Sequence, residues 1–180
     1  MYKRQGLATT SADAYVTPLG TVAIDREGYR AIEDLPQVQE LDAAHTREHS
    51  LEVELPFLQR MLDDFSIVPL VLSEVTPREV AEVLDRLWGG EETLIVVSSD
   101  LSHYLPYDRA CELDSDTARR IEHEDSDLDA TRACGYQSIN GALDAAREHG
   151  LAVQTLDLRN SGDTAGSRDR VVGYGAFALR

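Results

Sequence analysis

Hydrophobic and polar positions alternate along this chain with the two periods that distinguish helices from strands. Apolar residues recur every three or four positions through 47–64 and 76–88, which predicts amphipathic helices. Strands are predicted for the short apolar, β-branched or alternating runs at 14–24, 66–72, 93–99, 151–158 and 171–179. Because strands alternate with helices, we expect an α/β fold in which helices flank one mixed central sheet.

Two runs carry the strongest local signals. Thr76 before Pro77, with Glu79 three residues after Thr76, is typical of a capped helix start. The β-branched run Thr93–Ser99 predicts a central strand that is buried on both faces. Pro56 lies inside the helical spacing at 47–64 and is expected to kink or split that helix.

Length and charge narrow the class of protein. A chain of 180 residues fits one domain spanning 1–180. Its formal net charge of −16 repels a phosphate backbone, so no nucleic-acid partner is expected. No apolar run approaches the ~18 residues of a membrane span, and the 2 cysteines form no disulfide framework. These features predict a cytoplasmic protein that does not bind membranes.

The most informative segment comes at the end of the predicted strand at 93–99, where small polar residues, a carboxylate and an imidazole follow one another. Ligands of α/β sheets bind at the carboxyl ends of strands, so Ser99, Asp100 and His103 are candidate site residues. His103 is a candidate general base or metal ligand, and Asp100 is a candidate to orient it or to bind metal itself. A helix cap followed by a surface histidine is the alternative interpretation.

A serine hydrolase is a competing interpretation of the same segment. Ser98, Ser99 or Ser102 together with His103 and Asp100 would supply the residue types of a catalytic triad. However, no Gly-x-Ser-x-Gly elbow is present, and triad members usually come from separated segments. The sequence therefore favours this chemistry less than a metal site.

Other histidine and cysteine residues add candidates. His45 and His49 have the i, i+4 spacing of one helix face, although the order around them differs from H-E-x-x-H. His49 and Glu52 are candidate pocket residues, with a plain acidic helix N-terminus as the alternative. Cys134 precedes a predicted helix, where a thiolate is suited to zinc, iron or copper. Burial as a small apolar residue is the alternative for a lone cysteine.

Five segments, taken together, resemble the Memo family, whose prokaryotic members are called the B protein of the AmmeMemoRadiSam system. The segments are Glu48–Leu58, Val97–His103, Ala133–Gly135, Ser161–Gly166 and Val172–Ala176. Each motif is weak alone, but five in the same order and spacing are highly specific. The resemblance extends over the chain from Leu7 onward.

The resemblance implies a fold like that of the class III extradiol (LigB-type) dioxygenases and a metal, iron or copper. In the family, two histidines from the N-terminal part and a cysteine that corresponds to Cys134 hold the metal. His103 corresponds to a further active-site histidine, with Asp100 beside it, and His49 is expected near the pocket. The implied function is a metal-dependent oxidoreductase of an unidentified small-molecule substrate, with a radical-SAM partner implied by the system's name. A non-enzymatic adaptor that binds peptides or ligands in the same pocket is the alternative.

This chain departs from the family pattern at its beginning. The A-P-H-A-G-Y and G-P-x-H segments that carry the family's two N-terminal histidine ligands have no counterpart here. Met1–Gln5 match the translation of a common sequencing adaptor, so an N-terminally truncated domain without its first βαβ portion is expected. Catalytic metals usually need three protein ligands, so residues 1–180 are expected to bind metal poorly and to be inactive alone.

Overall fold

The computed structural model describes residues 6–164 and 166–180. The prediction of a sequencing adaptor at Met1–Gln5 lies outside the described residues. Within them, helices and strands alternate, so the predicted α/β class is confirmed. Three small three-stranded sheets take the place of the one central sheet that we expected.

Six helices and nine strands lie in the part of the chain that is described. The helices are α1 (Arg26–Ile32), α2 (Asp42–His45), α3 (Ser50–Met61), α4 (Pro77–Leu87), α5 (Tyr107–Glu122) and α6 (Tyr136–Glu148). The strands are β1 (Leu7–Thr9), β2 (Ala14–Thr17), β3 (Gly20–Ile24), β4 (Val38–Glu40), β5 (Ser66–Ile67), β6 (Val71–Leu72), β7 (His103–Leu105), β8 (Val153–Asn160) and β9 (Val171–Leu179). No helix among these is long and apolar enough to cross a membrane.

The described residues form two compact units. The first contains the residues up to Val75 together with Val83–Ser98, and the second contains Thr76–Glu82 together with Ser99–Arg180. In the first unit, the sheets have the strand orders β4-β1-β6 and β2-β3-β5, and each combines parallel with antiparallel pairing. Its apolar core consists of Leu7, Ile24, Tyr29, Ile32, Leu35 and Val83.

The second unit contains the candidate site residues that follow Ser98. Its sheet has the order β7-β9-β8 with antiparallel pairing throughout. Helix α5 packs on β8 and β9, and the buried residues Ile121, Leu128 and Leu143 form the apolar core. β8 and β9 form a long hairpin, and β9 also pairs with β7, the strand that begins at His103.

Several local predictions are confirmed. The hydroxyl of Thr76 accepts the Glu79 N–H at 3.3 Å, and the Glu79 carboxylate accepts the Thr76 N–H at 2.8 Å, so a complete capping box starts α4. β2 and β3 form a hairpin within 14–24, and β9 covers the predicted strand at 171–179. The expectation that Pro56 splits its helix is wrong, because α3 runs continuously through it.

One predicted strand is wrong, and another is divided in two. Thr93–Ser99 contains no strand, and the side chains of Leu94 and Val96 are 65% and 45% exposed rather than buried. No described residue forms a backbone hydrogen bond with 94–98, so this β-branched run has no neighbouring strand to complete a ladder. The run at 66–72 divides into β5 and β6, which belong to different sheets, with Pro69 between them. Because proline has no N–H, it interrupts the ladder at that point.

Asp42 anchors the segment after β1 and gives the first unit an acid-sensitive contact. Its carboxylate accepts the Ser11 hydroxyl at 2.6 Å, the Thr10 hydroxyl at 2.7 Å and the Ser11 N–H at 2.8 Å. These hydrogen bonds, those of Ser11 first, lower the pKa of Asp42 to about 2. Because the folded pKa lies below the ordinary value of about 3.9, the stabilisation is complete above about pH 4 and is lost as pH falls towards 2.

We therefore expect Asp42→Asn to remove one acid-dependent component of stability between about pH 4 and 2. The measurement is the free energy of unfolding by urea across that range, and the difference between wild type and Asp42→Asn isolates this carboxyl. Asp64→Asn, which removes an exposed carboxylate, is the matched control. Parallel pH profiles for wild type and Asp42→Asn contradict the prediction.

Candidate metal centre

Three candidate residues of the second unit come together at one place. The ligand atoms of Asp100, His103 and Cys134 all lie within 4.8 Å of one another. His103 Nε2 is 3.5 Å from Asp100 Oδ2. A carboxylate, an imidazole and a thiol at this separation form a set of donors that one metal ion can contact together.

The strand β9 positions the segment that carries Asp100 and His103. The Leu101 N–H donates to the Gly173 carbonyl at 2.8 Å, and the Gly173 N–H donates to the Ser102 carbonyl at 2.8 Å. Leu101 and Ser102 are both buried, so this short stretch is fixed between β9 and the interior. Asp100 and His103 emerge at its two ends on the same side of the site, where their side chains meet.

A β-bulge follows His103 in β7. His103 pairs with Val172 and Leu105 pairs with Val171, so Tyr104 is an extra residue in the ladder. Tyr104 has a φ of 60°, a conformation that residues with side chains rarely adopt. Backbone strain of this kind often accompanies functional sites, and here it lies beside the candidate base.

Cys134 is attached to the same segment by two backbone contacts. The Cys134 N–H donates to the Asp100 carbonyl at 3.3 Å, and the Gly135 N–H donates to Ser99 Oγ at 2.9 Å. A Cβ on Gly135 would lie 2.9 Å from the Ser99 Cβ, so the close approach needs glycine there. Ser99 Oγ is also 3.6 Å from Cys134 Sγ. Ser99, predicted as a pocket residue, therefore joins the two ligand-bearing segments.

The protonation of the imidazole follows from its contacts. His103 Nδ1 is 3.0 Å from the Leu101 carbonyl, which can only accept a hydrogen bond. The neutral tautomer that satisfies this contact has its proton on Nδ1, and its Nε2 lone pair then lies 3.5 Å from Asp100 Oδ2. A ring in this tautomer can bind a metal or take up a proton at Nε2.

The donor set fits the metal that the resemblance implies. Thiolate and imidazole ligands suit zinc, iron and copper, and a carboxylate completes a mixed S, N, O set. The side chains of His103 and Asp100 are 33% and 47% exposed, and Cys134 is exposed, so water reaches every donor.

The other predicted site residues lie in the first unit. His49 and Glu52 contact each other at 3.4 Å, with side chains 82% and 66% exposed. The expectation that His45 and His49 share one helix face is wrong, because His45 ends α2 and His49 caps the start of α3. The His45 ring lies between the Tyr15 hydroxyl at 2.9 Å and the Ala8 carbonyl at 3.0 Å, which is a structural role.

The serine-hydrolase alternative loses support at Ser102. Its side chain is fully buried, and its hydroxyl donates to the Asp114 carboxylate at 3.1 Å. A nucleophile needs a solvent-facing hydroxyl that a base can deprotonate, and Ser102 has neither the access nor the free proton.

Asp114 is the residue near the site that the sequence analysis missed. It lies in α5 and is 2% exposed, and burial raises the pKa of its carboxyl while the two donors of Ser102 lower it. Its signal in the sequence was weak, because one more acid in a polar helix is usually a surface residue. Its burial results from the packing of α5 on β9.

Fold and cluster together define an α/β protein in which a cysteine, a histidine and a carboxylate are gathered as candidate metal ligands. A family model described as Memo-like protein matches residues 2–178. The chain belongs to the Memo family, as its five motifs predicted.

Curated relatives agree with this assignment. The MEMO1 family protein of Archaeoglobus fulgidus is 37% identical, over 94% of this chain and 69% of its own length. MEMO1 family proteins of Saccharolobus islandicus and Sulfolobus acidocaldarius are 37% and 34% identical, each over 88% of this chain and 61% of its own length. The chain thus spans about 61–69% of the length of these relatives.

Proposed function

We propose that this chain carries part of the metal centre of a Memo-type, metal-dependent oxidoreductase that acts on a small-molecule substrate. The observation that supports the proposal is the gathering of Asp100, His103 and Cys134 within 4.8 Å. Iron or copper is the proposed metal, because both accept thiolate and imidazole ligands and both exchange electrons. When bound, such a metal supplies the redox step.

The chain's own residues are proposed to hold the metal and move a proton. Cys134 binds as the thiolate. His103 takes up a proton at Nε2, and Asp100, whose carboxylate lies 3.5 Å from that nitrogen, stabilises the imidazolium that results. The Leu101 carbonyl keeps the other ring nitrogen protonated at 3.0 Å, so the ring stays oriented during the transfer.

The proposed affinity of residues 1–180 for metal is low. Water reaches all three donors and competes with them for the ion. No turnover is therefore expected from this chain alone, and a tight one-to-one iron or copper complex contradicts this part of the proposal.

Cobalt(II) is a suitable probe, because a thiolate bound to it gives an absorption band that other ligands do not. We expect a weak band to grow as cobalt is added to the reduced protein and to be absent from Cys134→Ser. His103→Ala is expected to leave the thiolate band in place, because His103 is proposed to carry a proton at Nε2 and that nitrogen cannot hold the metal at the same time. The measurement is the absorption titration.

Cys111→Ser is the matched control, because Cys111 is the chain's second thiol and accepts a hydrogen bond from Asn160 at 3.4 Å, away from the cluster. The band should persist in this variant. A band that disappears in Cys111→Ser but persists in Cys134→Ser, or no band in the wild type, contradicts the proposed metal centre.

A non-enzymatic adaptor is the second proposal, and an exposed apolar face on α3, instead of the pocket first expected, supports it. Val53, Phe57 and Met61 follow one another at intervals of four residues and are 56%, 72% and 82% exposed. Contiguous exposed apolar surface is typical of interaction sites. In an adaptor, Phe57→Ser abolishes binding to a peptide array while Cys134→Ala leaves it unchanged. An enzyme that does not use this face shows no array binding that depends on Phe57.

A further inference from the structure

We propose that Asp114 is a positioning residue that fixes the tautomer of His103 through the peptide bond between Leu101 and Ser102. The inference rests on the proposed function only in that His103 is the proton carrier there. The tautomer itself is a property of the metal-free chain.

The carboxylate of Asp114 contacts Ser102 with both oxygens. Oδ1 accepts the Ser102 N–H at 3.0 Å, and Oδ2 accepts the Ser102 hydroxyl at 3.1 Å. Asp114 and Ser102 are 2% and 0% exposed, so water does not compete for these hydrogen bonds. A carboxyl group this deeply buried is unfavourable unless it is hydrogen-bonded, and both oxygens of Asp114 have their partner in Ser102.

The peptide unit connects Asp114 to the imidazole. In a trans peptide, the N–H and the C=O lie in one plane and point in opposite directions. The N–H of Ser102 points to Asp114, so the C=O of Leu101 points away from it, towards His103 Nδ1 at 3.0 Å. A hydrogen bond accepted from the N–H also polarises the peptide and strengthens its carbonyl as an acceptor.

Strand β9 also holds Leu101 and Ser102 by hydrogen bonds. Gly173 of β9 exchanges hydrogen bonds with Leu101 and Ser102, both at 2.8 Å. A Cβ on Gly173 would lie 2.0 Å from Asp114 Oδ2, so the carboxylate fills the space that a side chain would need. The peptide therefore has one orientation, and the imidazole has one partner for Nδ1.

The consequence for the site is a bare Nε2. Because Nδ1 keeps its proton to donate to the Leu101 carbonyl, the lone pair is on Nε2. Nε2 faces Asp100 and the donor cluster. Without Asp114, the peptide loses its anchor, the carbonyl is no longer held, and either nitrogen of the neutral ring can carry the proton.

Nitrogen-15 NMR of the metal-free, ¹⁵N-histidine-labelled protein tests the proposal directly. At about pH 8.5, well above the ordinary histidine pKa of about 6.5, the ring is neutral and its bare nitrogen resonates far downfield of the protonated one. We expect the downfield signal of His103 to be Nε2 in the wild type. In Asp114→Ala, the two signals should move together as the tautomers exchange. His103→Gln identifies the signals by their loss.

Three variants distinguish an effect of Asp114 on the His103 tautomer from a general effect on the stability of the fold. Asp114→Asn keeps an acceptor for the Ser102 N–H and should keep the wild-type signals. Ser102→Ala removes only the hydroxyl contact and should also keep them. Asn140 is a comparable buried side chain, which accepts the Leu128 N–H at 3.0 Å and donates to the Leu128 carbonyl at 2.9 Å. Asn140→Ala should destabilise the unit without moving the His103 signals.

Two results overturn the proposal. One is a wild-type His103 that is protonated at Nε2, which needs no variant and is decisive even if Asp114→Ala does not fold. The other is a folded Asp114→Ala whose ring signals match the wild type. Because no metal is present in the experiment, either result leaves the cobalt test of the proposed function unaffected, and a failed cobalt test leaves this one standing.

Discussion

Gly173→Ala should lower the free energy of unfolding by about 1–3 kcal/mol from overpacking alone. The added Cβ would lie 2.0 Å from Asp114 Oδ2 and 2.6 Å from its Cγ. The carboxylate cannot move aside without breaking its hydrogen bonds to Ser102, and a buried group left unpaired adds a further ~1–3 kcal/mol. Urea unfolding with a two-state fit measures the change.

The prediction has an internal control in a double-mutant cycle. In an Asp114→Ala background, the clash disappears, so Gly173→Ala should destabilise the protein less than it does in the wild type. Gly90→Ala is the matched exposed substitution, since its Cβ meets only the flexible carboxylate of Glu92. Equal effects of Gly173→Ala in both backgrounds would show that the carboxylate is not the obstacle.

Leu143→Ala should destabilise the second unit by about 2–5 kcal/mol. Leu143 lies in α6, is 1% exposed and packs with Ile121 and Leu128. Its removal leaves a cavity in the apolar cluster that it forms with these two buried side chains. Thermal and urea unfolding both measure this effect.

Leu156→Ala is the matched control, because the same atoms are removed from a leucine that is 60% exposed. Surface substitutions of this kind usually change stability by less than about 0.5 kcal/mol. A Leu143→Ala variant as stable as Leu156→Ala would mean that this cluster does not hold the unit together.

The three residues of the candidate site differ in how far the sequence alone predicts that they lie together. Asp100 and His103 stand three positions apart after a polar serine pair, so their proximity was predictable from the chain itself. Cys134 lies far from both along the chain, and only the resemblance to the Memo family suggested that it belongs with them. Its attachment through Asp100 and Ser99 depends on backbone contacts that carry no local signal.

Elements with local signals could be predicted from the amino-acid sequence. The capping box of Thr76 and Glu79, the hairpin within 14–24 and the strand at 171–179 formed as predicted. The capping box and the hairpin join residues that are near in the chain, and the strand at 171–179 pairs with the strand that precedes it, β8.

Features that need a partner from a distant part of the chain could not be predicted in this way. Thr93–Ser99 has the composition of a buried strand, but it stays exposed because strand formation requires a neighbour to pair with. The sequence around Asp114 is typical of a surface acid. Asp114 is buried and bound to Ser102 only because α5 packs on β9. Burial and pairing are properties of the assembled fold, so no pattern in the chain alone specifies them.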